Sequence, residues 1–187
     1  MHKVMKIAIT GGIGSGKSYV CRLLANRGID IYDCDAGAKR LMNTSDEIKN
    51  QLTALIGPDT YVCGTLNKPV VAQFLLASED NKQAINEIVH PAVIDDFYSS
   101  GMQWMECAIL YEAHLEGFVD KVVCVAAPFD VRLERIIRRD GISKERAAEW
   151  ISTQMSQDEI MQRADFVIIN DGQSSLEEQI DSLLGTL

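Results

Sequence analysis

Residues 6 to 18 read Lys6-Ile7-Ala8-Ile9-Thr10-Gly11-Gly12-Ile13-Gly14-Ser15-Gly16-Lys17-Ser18, and this stretch decides the fold. Its first part is a short apolar run of buried-strand character. Its second part, Gly11 to Ser18, matches G-x-x-x-x-G-K-[ST] with no mismatch. Outward from there, Lys17 to about Asn26 carries Val20, Leu23 and Leu24 on one helical face. Gly28 closes that helix, and Ile29 to Tyr32 reads as a second strand. Strand, glycine loop, helix and strand open a parallel α/β sheet. Glycines admit positive φ and let backbone N–H groups turn inward on phosphate oxygens. The following helix N-terminus adds positive potential there. Lys17 supplies a point charge to β- and γ-phosphates, and the Ser18 hydroxyl suits a Mg²⁺ ion bridging them. Gly12, Ile13, Gly14, Ser15, Gly16, Lys17 and Ser18 are therefore the candidate nucleotide contacts. A ligand-free glycine turn is the plain alternative, and the Lys-Ser register between strand and helix counts against it.

The 187-residue chain is 47% hydrophobic and 24% charged, which predicts one unit of ordinary domain size. Its 18 basic residues face 27 acidic ones, a formal net charge of −9. Such a balance excludes a general nucleic-acid binder and an anionic membrane surface as partners. The longest apolar run, Val122 to Phe129, is far short of the roughly 20 residues a bilayer span requires. Met1-His2-Lys3-Val4 leads into the glycine-rich stretch without the apolar core of a secretory signal. Five scattered cysteines (Cys21, Cys34, Cys63, Cys107 and Cys124) form no CxxC pair. They indicate neither a zinc site nor a disulfide framework, and a cytoplasmic protein with reduced thiols is expected.

From Ala36 to about Tyr98 the pattern is helical, with turns at Gly57-Pro58 and Cys63-Gly64 and no strong strand. Cys107 to Leu110 is a weak strand candidate ending in Tyr111-Glu112, and Val122 to Ala126 a strong one. A helix follows from about Phe129 to Arg139, broken by Asp140-Gly141. A polar helical hairpin spans about Ser143 to Gln162. Phe166 to Asn170 is the last strand, Asp171-Gly172 a turn, and Leu176 to Leu184 a final helix. The expected architecture is a three-layer α/β P-loop NTPase fold with a parallel five-stranded sheet. Its core comprises residues 1–35, 104–139 and 163–187, with a helical acceptor-binding insertion at 36–103 and a small lid at 140–162.

Thr10 to Ser18 resembles the opening motif of the dephospho-CoA kinase family, and the resemblance runs over nearly the whole chain. Asp33-Cys34-Asp35, Val89-His90-Pro91 and Ile109-Leu110-Tyr111-Glu112 are similar to further family motifs. So are Arg135, Arg139-Asp140, Gln154, Ala164-Asp165 and Val167 to Gly172. The resemblance implies ATP-dependent phosphorylation of the ribose 3′-hydroxyl of dephospho-CoA, the last step of coenzyme A synthesis, with Mg²⁺ accompanying ATP. The chain also departs from the family pattern. Lys39 stands where arginine is common, Ala108 precedes Ile109, and Gln157 and Ile160 occupy positions where the lid usually has basic residues. The Pro91 to Glu112 segment is shorter than usual.

Asp35 lies just past the second strand, at the edge where α/β sheets bind ligands. A carboxylate there can take the proton of an attacking sugar hydroxyl, the role the resemblance also implies. The plain alternative is that Asp33 and Asp35 cap the next helix, and Asp33 is read as a capping or metal-water contact. Glu112 is a candidate for the Mg²⁺ hydration shell or for a substrate hydrogen bond, against a solvated charge. His90 is placed by the resemblance at the acceptor site. Arg132, Arg135 and Arg139 recur at i, i+3 and i+7 on one helical face, which is either a solvated basic face or a phosphate contact. Arg139, leading into the lid, is the expected phosphate contact, with Arg146 and Arg163 weaker candidates. Asn170 and Gly172 are similar to the adenine-side loop. A kinase for nucleoside monophosphates is the nearest rival. A GTP-operated switch is disfavoured because Asn67-Lys68-Pro69-Val70 lacks the Asp of a guanine-reading motif, and a nucleic-acid motor does not fit a chain this short and acidic.

Overall fold

Short apolar runs become the strands of a parallel sheet in the computed structural model, which describes residues 4–187. The reading of Met1 to Lys3 lies outside the described residues. The chain divides into two units, Met1–Tyr32 with Met102–Leu187 and Asp33–Gly101. In the first unit β1 (Ile7–Thr10) pairs in parallel with β5 (Trp104–Glu106) and β6 (Lys121–Ala126). β7 (Phe166–Ile169) pairs in parallel with β6, Val123 opposite Phe166. With β2 (Ile31–Asp33), the five-stranded order is β2-β5-β1-β6-β7. β1 is buried at every position, as expected of a parallel strand covered on both faces. Helices α1 (Lys17–Ala25) and α9 (Leu176–Thr186) place Val20, Leu24, Ile180 and Leu183 against Ile7, Ile9, Val123 and Ile168. Helices α6 (Phe129–Asp140) and α7 (Lys144–Ser152) share a second cluster of Leu133, Ile136, Ala147 and Ile151. The sheet and its flanking helices form the three-layer α/β architecture of P-loop NTPases. Helix α8 (Gln157–Arg163) completes a hairpin with α7.

The second unit is built from local signals. Asp33 caps α2 (Cys34–Thr44) through Ala36 N, and Ser45 caps α3 (Asp46–Ile56) through Ile48 N. Helix α4 (Lys68–Ala77) precedes α5 (Glu79–Ser99), whose N-cap Ser78 accepts from Asn81 N. Pro91 lies inside α5 and withholds one helical donor without ending the helix. Ile48, Leu52, Ile85, Val89, Val93 and Phe97 are buried. Among the described residues no helix is long and apolar enough to cross a membrane.

The third strand differs from the sequence expectation. Cys107 to Leu110 is not a strand; the strand is Trp104–Glu106, and Ile9 faces Glu106. Cys107 N still donates to Ile9 O at 2.9 Å, after which the chain winds into tight turns, with Ala113 N on Ile109 O and Leu115 N on Leu110 O. Leu110 and Tyr111 are buried as plugs under these turns, so their apolar character reflects burial rather than pairing. Glu112 therefore does not end a strand, and Glu106 does. The helical stretch also holds a two-stranded antiparallel hairpin, β3 (Tyr61–Val62) and β4 (Thr65–Leu66). Cys63 and Gly64 both have positive φ at its turn, 49° and 79°, the geometry that suits a two-residue hairpin. Two-residue strands carry too little periodicity to read in advance. Smaller shifts affect the ends: Lys6, Ile29, Asp30 and Asn170 lie outside strands, and the last helix reaches Thr186.

Candidate nucleotide site

The loop from Gly11 to Gly16 leaves the end of the central strand and closes on helix α1. Gly14 and Gly16 have φ of 79° and 88°, a region costly for other residues. Close neighbours enforce the same choice. A Cβ on Gly16 would stand 2.1 Å from Asn170 Nδ2, one on Gly14 2.7 Å from the Arg132 carbonyl oxygen, and one on Gly12 2.5 Å from Arg132 Nη2. The loop carbonyls face α6 and the end of β7. Ile13 O accepts from Arg132 Nε at 2.9 Å. Gly14 O and Ser15 O accept from Arg135 Nη1 at 3.3 and 3.2 Å. Ser15 O also accepts from Asn170 Nδ2 at 2.8 Å, and Arg135 Nη2 donates to Asn170 Oδ1 at 3.1 Å. Helix α1 begins with no side-chain cap and no acidic residue in its first turn, so its N-terminal donors are available to an anion. Thr10 Oγ1 and Ser15 Oγ are buried here without a partner among the described residues.

Lys17 Nζ lies 2.8 Å from Glu106 Oε1, and Ser18 Oγ donates to the same oxygen at 3.0 Å. Burial pushes the Glu106 carboxyl up, but the Lys17 hydrogen bond and charge, with the Ser18 bond, outweigh it and hold it below the ordinary carboxylate range. Glu106 joins the candidate site through these contacts, and the sequence reading does not include it. Its signal is an acidic residue directly after the apolar pair Trp104-Met105, masked by the longer apolar run from Cys107 to Leu110 just downstream. Serine and carboxylate oxygens are the hard donors that Mg²⁺ prefers, so this pair fits the ion that the loop motif calls for.

The other expected residues scatter. Asn170 is buried beside the loop. Gly172, φ 82°, sits in a turn where Asp171 Oδ1 accepts from Gln173 N and Ser174 N at 2.9 and 2.8 Å. Arg139 is exposed and forks onto Asp140, Nε and Nη2 donating at 2.9 and 2.8 Å. Arg132 is buried rather than solvated; α6 presents it and Arg135 to the loop. Glu112 is exposed and accepts from Met155 N at 3.2 Å. Gln157 pairs with both backbone groups of Ala127, at 3.0 and 2.9 Å, and Ile160 is buried; both positions join α8 to the end of β6. In the helical unit Asp33 is a cap, Asp35 is exposed in the first turn of α2, and His90 is half-buried in α5, where burial lowers its pKa. Four of the five cysteines are buried, and burial pushes the Cys124 thiol up to about 11, which leaves it protonated and unreactive.

Comparison with known proteins agrees with this geometry. The CoaE family model, described as dephospho-CoA kinase, matches residues 5–176. A dephospho-CoA kinase of Bacteroides fragilis is 41% identical over 194 residues, covering 98% of this chain and 93% of its own length. One from Porphyromonas gingivalis is 35% identical, covering 98% and 95%. A crystal structure from Thermus thermophilus superposes with a TM-score of 0.84 at 30% identity, covering 98% of this chain and 97% of that one. A phosphate loop with its lysine and serine in register, on a sheet of this order, and likeness over nearly the full length of these relatives lead to one conclusion: the chain is a kinase and belongs to the dephospho-CoA kinase family.

Proposed function

We propose that this kinase transfers the γ-phosphoryl group of ATP to the ribose 3′-hydroxyl of dephospho-CoA, giving coenzyme A and ADP. The observation that carries the reading is the intact loop with Lys17 and Ser18 converging on Glu106. The 3′-oxygen forms a bond to phosphorus as the bond from the γ-phosphorus to the β–γ bridging oxygen breaks. Asp35 takes the hydroxyl proton and releases it to solvent. Lys17 offsets charge on the β- and γ-phosphates, and the loop amides orient them. Ser18 and Glu106 would hold Mg²⁺, which when bound neutralises phosphate charge. Asn170 keeps the loop in shape, and Gly172 lies in the turn proposed to flank adenine. His90 and Glu112 are proposed to line the acceptor site. Arg139, released from Asp140, is proposed to add charge as the α7–α8 hairpin closes and excludes water.

The test is a coupled assay with ATP and Mg²⁺. Dephospho-CoA is expected to give product phosphorylated at the 3′ position by phosphorus NMR. Turnover of nucleoside monophosphates but not of dephospho-CoA, or product phosphorylated elsewhere, overturns the substrate assignment.

A further inference from the structure

Ile13 is the one bulky residue among the loop glycines, and it is held at three points. Its side chain packs on the Leu133, Ile136, Ala147 and Ile151 cluster. Its carbonyl accepts from Arg132 Nε at 2.9 Å, and its N–H donates to Gln154 Oε1 at 2.7 Å. Gln154 lies between α7 and α8, so α6, α7 and the segment after α7 together fix one residue and the two peptide planes that flank it.

Arg132 is only 4% exposed. Burial lowers its pKa, and its sole opposing influence is the neighbouring Cys124, not a carboxylate. A guanidinium nevertheless keeps its charge, so a cation has been buried against the loop without an anionic partner among the described residues.

A trans peptide is planar, and the carbonyl of one residue points opposite to the N–H of the next. Gripping Ile13 O from α6 therefore turns Gly14 N–H away from α6. Arg135 and Asn170 act alike on Ser15 O, which turns Gly16 N–H away from them. Neither glycine N–H has an acceptor among the described residues, so both remain available as donors.

We infer that Arg132 is a positioning residue: it aims the Gly14 amide at the triphosphate through the Ile13 carbonyl without touching the nucleotide, while Gln154 secures the other side of Ile13. This rests on the reading that the loop holds ATP. The role differs from a direct charge contact in a measurable way, because a hydrogen bond to a carbonyl needs a donor and not a charge.

The experiment compares wild type with Arg132→Met, Arg132→Gln and Gln154→Met, by titration with ATP and with inorganic tripolyphosphate, and by steady-state kinetics. Losing one aimed donor to a charged group is worth roughly 10- to 100-fold, so Arg132→Met is expected to lose that factor for both probes. The acceptor KM should stay within about twofold, as no acceptor group is involved. Arg132→Gln, which keeps an N–H donor without the charge, should recover most of the loss. Gln154→Met should lose less, and its combination with Arg132→Met should be less than additive, because both hold the same residue, Ile13, one through each of its flanking peptide planes. If Arg132→Gln is as poor as Arg132→Met, the charge is what matters and the inference falls. It also falls if Arg132→Met binds tripolyphosphate as wild type does. Should Arg132→Met not fold, Arg132→Gln alone carries the test: it keeps a donor without the charge and should bind tripolyphosphate within about threefold of wild type, whereas a loss of about tenfold or more overturns the inference. Failure of the wild-type protein itself to bind ATP or tripolyphosphate would instead sink the reading of the loop.

Discussion

The phosphate loop and the helical unit, Asp33–Gly101, are held together in opposite ways. Loop contacts come from far along the chain: Glu106, Arg132, Arg135, Gln154 and Asn170 all reach residues 13 to 18. In the helical unit most side-chain bonds are local, as in the caps from Ser45, Ser78 and Asp33. The ion pair of Arg40 with Asp96 is a longer link there, between an exposed arginine and a half-buried aspartate. The difference teaches where substitutions concentrate their cost. A locally stabilised helix loses one small increment per change, whereas a loop shaped by distant partners loses its geometry.

Lys17→Met tests the loop most severely. It removes the cation proposed to offset the charge of the transferring group while leaving the sheet and α1 packing in place. Turnover is expected to fall about 10³-fold or more, by analogy with the loss of a transition-state cation in phosphoryl transfer. Near-normal turnover in a folded variant would remove Lys17 from its role. Asp35→Asn, although in the locally held unit, is expected to cost about 10²-fold in kcat, the usual scale for a general base. ATP affinity should change little; the reverse pattern would make Asp35 a structural or metal-side residue.

Gly16→Ala is expected to weaken ATP binding by about 10-fold or more, since a Cβ meets Asn170 and the residue sits in a left-handed conformation. Isothermal titration reads this directly, and unchanged affinity would mean that the loop yields more easily than its contacts indicate. Ser45→Ala should cost only about 1 kcal/mol in a urea melt, the ordinary worth of a cap, with ATP affinity untouched. A loss several times larger would contradict the local character of that unit.

The smallest effect is on pH. Glu106 has a folded pKa held below its unfolded value. Between the two values the unfolded chain binds the proton and the folded chain does not, so stability rises with pH there. The contribution is present above the unfolded pKa and is lost as pH falls through the folded one. Glu106→Gln should flatten this acid limb in urea melts taken across the carboxylate range. An unchanged limb would show that the Lys17 contact does not persist in solution.

The loop, the helix behind it and the helical run of residues 36–98 were legible in the sequence because each is specified locally, by glycine spacing, a Lys-Ser register and 3.6-residue periodicity. The strand at Trp104–Glu106 was not, because three residues carry almost no period, and the adjacent run Cys107 to Leu110 is apolar for another reason: its end residues, Cys107 and Leu110, are buried beside tight turns. That misplacement cost the site Glu106, whose role depends on β1 lying beside β5. Arg132, Arg135 and Arg139 share a spacing, and nothing in it distinguishes a buried grip on loop carbonyls from a fork onto the neighbouring Asp140.

By itself, the sequence determined that a phosphate loop exists and which lysine and serine end it, because backbone conformation over eight residues follows from the residues themselves. Only the tertiary structure decided which distant groups shape and neutralise that loop. Such groups meet through strand order and helix packing, and those are properties of the whole chain's burial rather than of any one segment.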